Sequence, residues 1–284
     1  MTDRIAFQGE LGANSHMACH EAYPAFEPLP CETFEDAFAA VTDGAAALAM
    51  IPIENSLAGR VGDVHHLLPK SGLYVIGEKF ARIEHQLVGA PGATLADIKR
   101  IRSHPMALGQ CRNIIRSLGA TAVKTADTAG AVREVAEMGV VSEAAIGSAL
   151  AATIHGLPIL KANVEDAAHN TTRFIVLAPE PDDAEPEAGD CITTVVFRTR
   201  NVPASLYKAL GGFATNGVNM TKLESYQIEG AFHASQFYAD IEGHPASRPV
   251  KLALEELRFF AAELTVLGVY PADPFRARWK AAQI

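Results

Sequence analysis

The run Ala178-Pro179-Glu180-Pro181-Asp182-Asp183-Ala184-Glu185-Pro186-Glu187-Ala188-Gly189-Asp190 divides the chain in two. Its prolines fix φ and remove backbone donors, and its carboxylates repel one another with no basic residue to answer them. Residues 179–190 therefore read as a linker between folded parts.

On the N-terminal side, short strand-like runs at 5–8, 47–53, 74–80, 86–89 and 100–103 alternate with helix-like segments, the rhythm of α/β layers. Thr33 with Asp36 opens an apolar-periodic segment to Val41, and Pro105 opens one helix through Leu118 that stops at Gly119. A similar unit follows: 122–125 extended, 128–138 helical, 144–147 extended, 149–155 helical, and 172–177 as a final strand. Beyond the linker, 192–199, 219–227, 232–241 and 264–270 read as strands, and 203–215 and 249–262 as helices. That order, β-α-β-β-α-β, is the ferredoxin-like pattern.

A chain of 284 residues with 49% hydrophobic content supports more than one core. With 24 Lys and Arg against 33 Asp and Glu, a net charge of −9 argues against a nucleic-acid or polyphosphate surface. Anion recognition is left to local basic groups. Cys19, Cys31, Cys111 and Cys191 are widely spaced, which predicts reduced thiols in the cytoplasm. Met1–Arg4 has the marks of no export signal, and no apolar run reaches membrane-spanning length, so no membrane partner is expected.

Several segments place polar groups where α/β sheets face ligand crevices. Gly9-Glu10-Leu11-Gly12 precedes Asn14-Ser15, a helix-capping pair, and either offers backbone N–H groups to an anion or makes a plain turn. His16 and His20 share a helix face, but no third metal ligand is in view and they read as ordinary histidines, as do His65 and His66. At the end of an apolar strand stand Glu54, Asn55 and Ser56, suited to orient a donor and to hydrogen-bond a carboxylate or hydroxyl, or else to cap a helix. Ser103-His104-Pro105 occupies the matching place further on, where His104 is a proton carrier or a helix-start residue. In Asn170-Thr171-Thr172-Arg173-Phe174, alternation sends Thr172 and Phe174 to one face, and Arg173 is the best carboxylate clamp.

Seven runs, in order, resemble the prephenate dehydratase family: Gly9 to Ser15, Pro52 to Gly59, Ser103 to Cys111, Ala126 to Ala131, Ala144 to Ser148, Gly156 to Leu160 and Asn170 to Phe174. The resemblance implies a catalytic region over 1–178, with two α/β lobes in a periplasmic-binding-protein-like topology. Lobe one would take about 1–80 and 160–178, lobe two about 81–159, with the site in the cleft and no metal or organic cofactor. It implies conversion of prephenate to phenylpyruvate, an essential role for Thr172, and roles for Arg173 and Phe174. On this reading Arg173, Asn55 and Ser56 hold carboxylates and Thr172 hydrogen-bonds the leaving hydroxyl. Phe174 lines the ring pocket, and Glu54 or His104 is the ultimate proton source. Asn170, Gly12, Asn14, Ser15, Thr128 and Ser148 complete the expected substrate contacts.

Residues 191–273 resemble an ACT domain that senses L-phenylalanine, with 274–284 as a tail. Ala204, Ser205, Leu206, Asn219, Met220, Thr221, Glu224 and Ser225 are the expected effector contacts. Two departures lie there: Pro203-Ala204-Ser205-Leu206 replaces the usual Gly-Ala-Leu, and Glu224-Ser225-Tyr226-Gln227 the usual Glu-Ser-Arg-Pro. ACT pairing implies a homodimer or homotetramer. The helical chorismate mutase region of fused relatives does not appear, which predicts a monofunctional enzyme. Rival readings are an arogenate dehydratase and a non-catalytic two-lobed binding protein with an amino-acid sensor.

Overall fold

The computed structural model describes residues 3–200, 202–227 and 234–282. Two compact units divide the chain: residues 1–64 with 79–174, and residues 65–78 with 175–284.

The chain opens with β1 (Arg4–Gln8), α1 (Asn14–Ala22), β2 (Glu27–Cys31), α2 (Phe34–Thr42), β3 (Leu48–Asn55), β4 (Gly59–Arg60), α3 (Gly62–Leu67) and β5 (Tyr74–Arg82). Next come β6 (Gln86–Gly89), β7 (Arg100–Ser103), α4 (Pro105–Gln110), α5 (Arg112–Ser117), β8 (Thr121–Lys124), α6 (Thr128–Met138), β9 (Glu143–Gly147), α7 (Ala149–Ile154), β10 (Ile159–Lys161) and β11 (Thr171–Ala178). One sheet has the order β2-β1-β3-β11-β5 with β4 on β3, and another the order β10-β6-β9-β7-β8.

In the first unit, β1 runs parallel to both β2 and β3, and its centre, Ile5-Ala6-Phe7, is wholly buried, as a strand covered on both faces must be. The expected start of α2 is a capping box: Thr33 Oγ1 accepts from Asp36 N–H at 3.0 Å, and the Asp36 carboxylate accepts from Thr33 N–H at 3.1 Å. β2 carries Pro28 and Pro30, which hide it from pattern reading and suit its place at the sheet edge. The second sheet is sandwiched between two apolar layers. Leu87, Ile101, Leu108, Ile114 and Ile146 fill one, and Val88, Ala131, Val132, Val135 and Ala145 the other.

The single helix expected from Pro105 to Leu118 is two helices, broken at Cys111 (φ −127°, ψ 35°). Asp166, far along the chain, supplies the cause. Its carboxylate accepts from the N–H groups of Arg112 and Asn113 at 2.9 and 3.1 Å, while its own N–H donates to Gln110 O at 2.7 Å. A capped second start replaces continuity, and Gln110 becomes the last residue of a short helix.

The second unit contains β12 (Cys191–Thr199), α8 (Ser205–Thr215), β13 (Met220–Gln227), β14 (Ala234–Glu242), α9 (Arg248–Phe260), β15 (Ala261–Pro271) and α10 (Pro274–Ala282). Its sheet, β13-β14-β12-β15, is antiparallel throughout, and both helices bury against Val195, Phe197, Phe237, Ala239 and Ile241. Helix α8 begins after Ala204, held at φ +62°, rather than at Pro203. The expected strand start at 232–233 lies outside the described residues.

On the opposite sheet face, Thr194 Oγ1 bonds Asp240 Oδ1 at 2.6 Å and Tyr270 Oη at 2.7 Å. Gly268 is required there, since a Cβ would sit 1.8 Å from Val75 O. Two further expectations change in this unit. The acidic stretch is pinned to β15: Ala184 N–H donates to Val269 O at 2.7 Å, and Val269 N–H donates to Asp183 Oδ1 at 3.1 Å. The expected tail is helix α10, strapped by Arg276, whose Nε and Nη2 donate to the buried Glu78 carboxylate at 2.6 and 2.8 Å.

Candidate active site

A connected set of amides and hydroxyls joins the ends of β3 and β11 to α4 and the start of β6, all within the first unit. Its directions follow from groups that can only donate. The N–H groups of Leu57 and Ala58 both reach Asn55 Oδ1 at 2.9 Å, which identifies that atom as oxygen and its twin as the amide nitrogen. Asn55 Nδ2 then donates to Asn170 Oδ1 at 2.8 Å and to Thr172 Oγ1 at 2.9 Å. Asn170 must therefore turn its own Nδ2 outward, and it donates to Gln110 Oε1 at 3.0 Å.

The other contact of Gln110 Oε1 is His85 Nε2 at 3.0 Å. Since that oxygen cannot donate, the imidazole proton sits on Nε2. His85 is 3% exposed, and burial lowers its pKa below the usual histidine value, opposed by Gln110 and the charge of Glu165. The far end is Thr172. Its oxygen is already an acceptor, and among the described residues nothing takes its hydroxyl proton.

Arg173 is 2% exposed and its Nη1 donates to Glu54 Oε1 at 3.0 Å, with the Phe80 ring 5.8 Å from its guanidinium carbon. The carboxylate clamp expected at Arg173 thus has one partner within the protein, Glu54, whose side chain is 33% exposed. Ser56 also differs from expectation. Its hydroxyl donates to His169 O at 2.9 Å and accepts from Thr171 N–H at 3.0 Å, clasping the chain ahead of β11. Phe174, expected to line a pocket, is a core side chain, 1% exposed.

Gly12 and Ser148 form a second group that joins the lobes. Ser148 caps α7 and donates its hydroxyl to Gly12 O, while Gly12 N–H donates to His16 Nδ1 at 2.9 Å. The N–H offered to an anion in the sequence reading is therefore spent, and His16, stacked on Phe7, is structural. Burial lowers the His16 pKa, helped by the charge of His20. Asn14 and Ser15 start α1, whose N-cap is Ala13 rather than either of them. Thr128 stands in the first turn of α6 behind its cap Asp127, and His104 caps α4 by accepting Met106 N–H on Nδ1 at 3.2 Å.

In the second unit, Ala204, Ser205 and Leu206 form the start of α8, and Met220, Thr221, Glu224 and Ser225 lie on β13. Asn219 just precedes β13 and donates to Glu242 Oε2 at 3.1 Å; Thr221 Oγ1 accepts from Arg276 Nη1 at 3.2 Å. Tyr226 is buried, its hydroxyl hydrogen-bonded to His65 Nδ1.

Sequence reading missed His85 and Gln110. The available signal was a polar pair, His85-Gln86, opening a strand whose remaining residues are apolar or glycine. Burial holds all four thiols above the ordinary cysteine value, Cys19 at about 12, so none is a ready thiolate. Among the described residues no helix is long and apolar enough to cross a membrane.

Residues 5–182 match the prephenate dehydratase family model. A bifunctional N-acyl-homoserine lactone acylase/prephenate dehydratase of Komagataeibacter europaeus is 54% identical, covering 96% of this chain and 98% of that protein. Arogenate dehydratase/prephenate dehydratase 2 of Arabidopsis thaliana is 38% identical, over 95% of this chain and 73% of that one. The crystal structure of a prephenate dehydratase from Arthrobacter aurescens in complex with L-Phe superposes with a TM-score of 0.87 at 30% identity, covering 99% of this chain and 97% of that one. The two-lobed α/β unit, the directed amide set ending at Thr172 and these matches lead to one assignment: the chain belongs to the prephenate dehydratase family.

Proposed function

We propose that this protein converts prephenate to phenylpyruvate, with Thr172 as the donor to the departing hydroxyl. The carrying observation is that Asn55 fills an acceptor position on Thr172 Oγ1 from 2.9 Å, which leaves the hydroxyl proton for an incoming oxygen. In the reaction the bond from the ring to its carboxylate breaks and its electron pair aromatises the ring. Hydroxide leaves from the opposite ring carbon and takes up one proton to depart as water, beside carbon dioxide. Aromatisation drives the step, so the protein's task is to hold two anions and stabilise charge on the leaving oxygen.

Threonine is a weak acid, and Thr172 acts as an oriented hydrogen-bond donor rather than the final proton source. Donation from Asn55 polarises its O–H bond and strengthens the bond it makes. The expected test is phenylpyruvate formation on prephenate, with arogenate as the competing substrate. Thr172→Val keeps volume and removes the donor, and turnover should fall by about 10²- to 10⁴-fold. Wild-type activity in that variant, or none in the unaltered protein on either substrate, would refute the reading.

Regulation by L-phenylalanine belongs to the same proposal, with 191–273 as an ACT-type regulatory domain and contacts from the start of α8 and from β13. The L-Phe complex of the Arthrobacter aurescens protein supports it. Among the described residues β13 ends its sheet, an edge that suits pairing into a homodimer or homotetramer. A second reading, N-acyl-homoserine lactone acylase activity, is favoured by the name of the 54% identical relative. With all four thiols held protonated by burial, such an activity would use an oxygen nucleophile or activated water. Release of the homoserine lactone amine from an acylated substrate tests it.

A further inference from the structure

We propose that His85 is a positioning residue for Thr172, acting through Gln110, Asn170 and Asn55. The inference rests on the reading of Thr172 as donor and extends it to a buried residue that reaches Thr172 through three other side chains. Gln110 Oε1 is held by two donors, Asn170 Nδ2 and His85 Nε2, both at 3.0 Å. Asn170 in turn fixes Asn55, and Asn55 fixes the hydroxyl rotor of Thr172.

His85 is suited to be the fixed end of this chain. Its N–H donates to Glu165 Oε2 at 3.0 Å and its carbonyl accepts from Val164 N–H at 2.8 Å, so its backbone is pinned on both sides. The Glu165 side chain is 3% exposed and lies 3.7 Å from the Arg82 guanidinium, which holds the anchor itself in place. Burial lowers the ring's pKa and so favours the neutral form, and a neutral imidazole with its proton on Nε2 presents one donor in one direction. Gln110 has more torsional freedom than a ring. Losing the His85 bond would let its amide turn, and Asn170 would then lose the acceptor that aligns it.

A positioning role predicts a particular kinetic split. The Thr172 donor is felt most when the leaving oxygen gains charge, in the transition state rather than on binding. His85→Leu should therefore lower kcat by about 10- to 100-fold with KM little changed, the scale of a displaced catalytic group. His85→Gln, which carries an N–H donor, should recover a large part of that loss. Combining His85→Leu with Gln110→Leu should cost little more than either alone, because both cut the same chain. A wild-type kcat in His85→Leu, equal losses in the Leu and Gln variants, or additive losses in the double variant would each overturn the proposal.

Nitrogen NMR of the unaltered protein supplies a readout independent of folding of the variants and of turnover. The His85 ring should show protonated Nε2 and bare Nδ1 without titrating across neutral pH. A proton on Nδ1 overturns the proposal. Failure of the unaltered protein on prephenate, with the expected ring signals intact, would instead refute the substrate reading.

Discussion

Asn55 Nδ2 lies 2.9 Å from Thr172 Oγ1, and two backbone N–H groups fix it as the donor of that bond. Asn55→Asp tests the direction rather than the presence of the contact. A carboxylate there accepts only, so the N–H groups of Leu57 and Ala58 keep a partner while Thr172 turns its proton inward. Turnover should fall by about 10²- to 10⁴-fold, as far as in Thr172→Val, with the melting temperature less affected than activity. Steady-state rates and a thermal melt on one preparation decide it.

Gly12 joins the lobes at a place where no side chain fits. Its φ is +93°, and a Cβ would lie 2.6 Å from Ala151 Cα and 2.8 Å from Ala151 Cβ. Gly12→Ala must push α7 away or strain the turn, and should destabilise by about 1–3 kcal/mol. Urea unfolding would record it as a lower midpoint.

A second tie between the lobes depends on pH. Arg133 Nε and Nη2 donate to the two Glu10 carboxylate oxygens at 2.9 and 3.0 Å, and this bonding holds Glu10 below its ordinary value of 4.5. A folded-state pKa below the unfolded one gives stability that is present above pH 4.5 and lost as pH falls through the folded value. Glu10→Gln should therefore melt lower than the unaltered protein at neutral pH, with the gap closing below pH 4.5. Melts across pH 3 to 7, roughly the span over which carboxylates titrate, would show a constant gap if the pair contributed nothing.

The parts legible in the sequence are those whose causes are local. α6 was bounded correctly because Asp127 caps it and Gly139, at φ +60°, ends it. The break at Cys111 was invisible because its cap, Asp166, is contributed by a distant loop. The site divides in the same way. Asn55, Asn170 and Thr172 stand in polar runs at strand ends, where composition flags them. Gln110 and His85 matter through partners that only the tertiary fold supplies. The partners of Arg173 and Ser56, which are Glu54 and the 169–171 backbone, were open to neither spacing nor periodicity for the same reason.

Tyr226 stands where the family pattern has arginine, and its burial changes what the departure means. The hydroxyl is hydrogen-bonded to His65 Nδ1 and the ring lies 5.3 Å from that of His65 and 6.0 Å from that of His66, so the side chain is packing within the second unit. Tyr226→Phe keeps the ring and deletes one buried hydrogen bond, which should cost about 1–3 kcal/mol because the imidazole loses a partner out of reach of water. Effector response should separate from that cost. With Tyr226 turned inward, the proposed regulation by L-phenylalanine predicts a rise in melting temperature on its addition that is the same in Tyr226→Phe as in the unaltered protein, each measured from its own baseline. A variant as stable as the original would show that the bond contributes nothing. A variant whose response to L-phenylalanine disappears would show that the hydroxyl serves the effector rather than the packing.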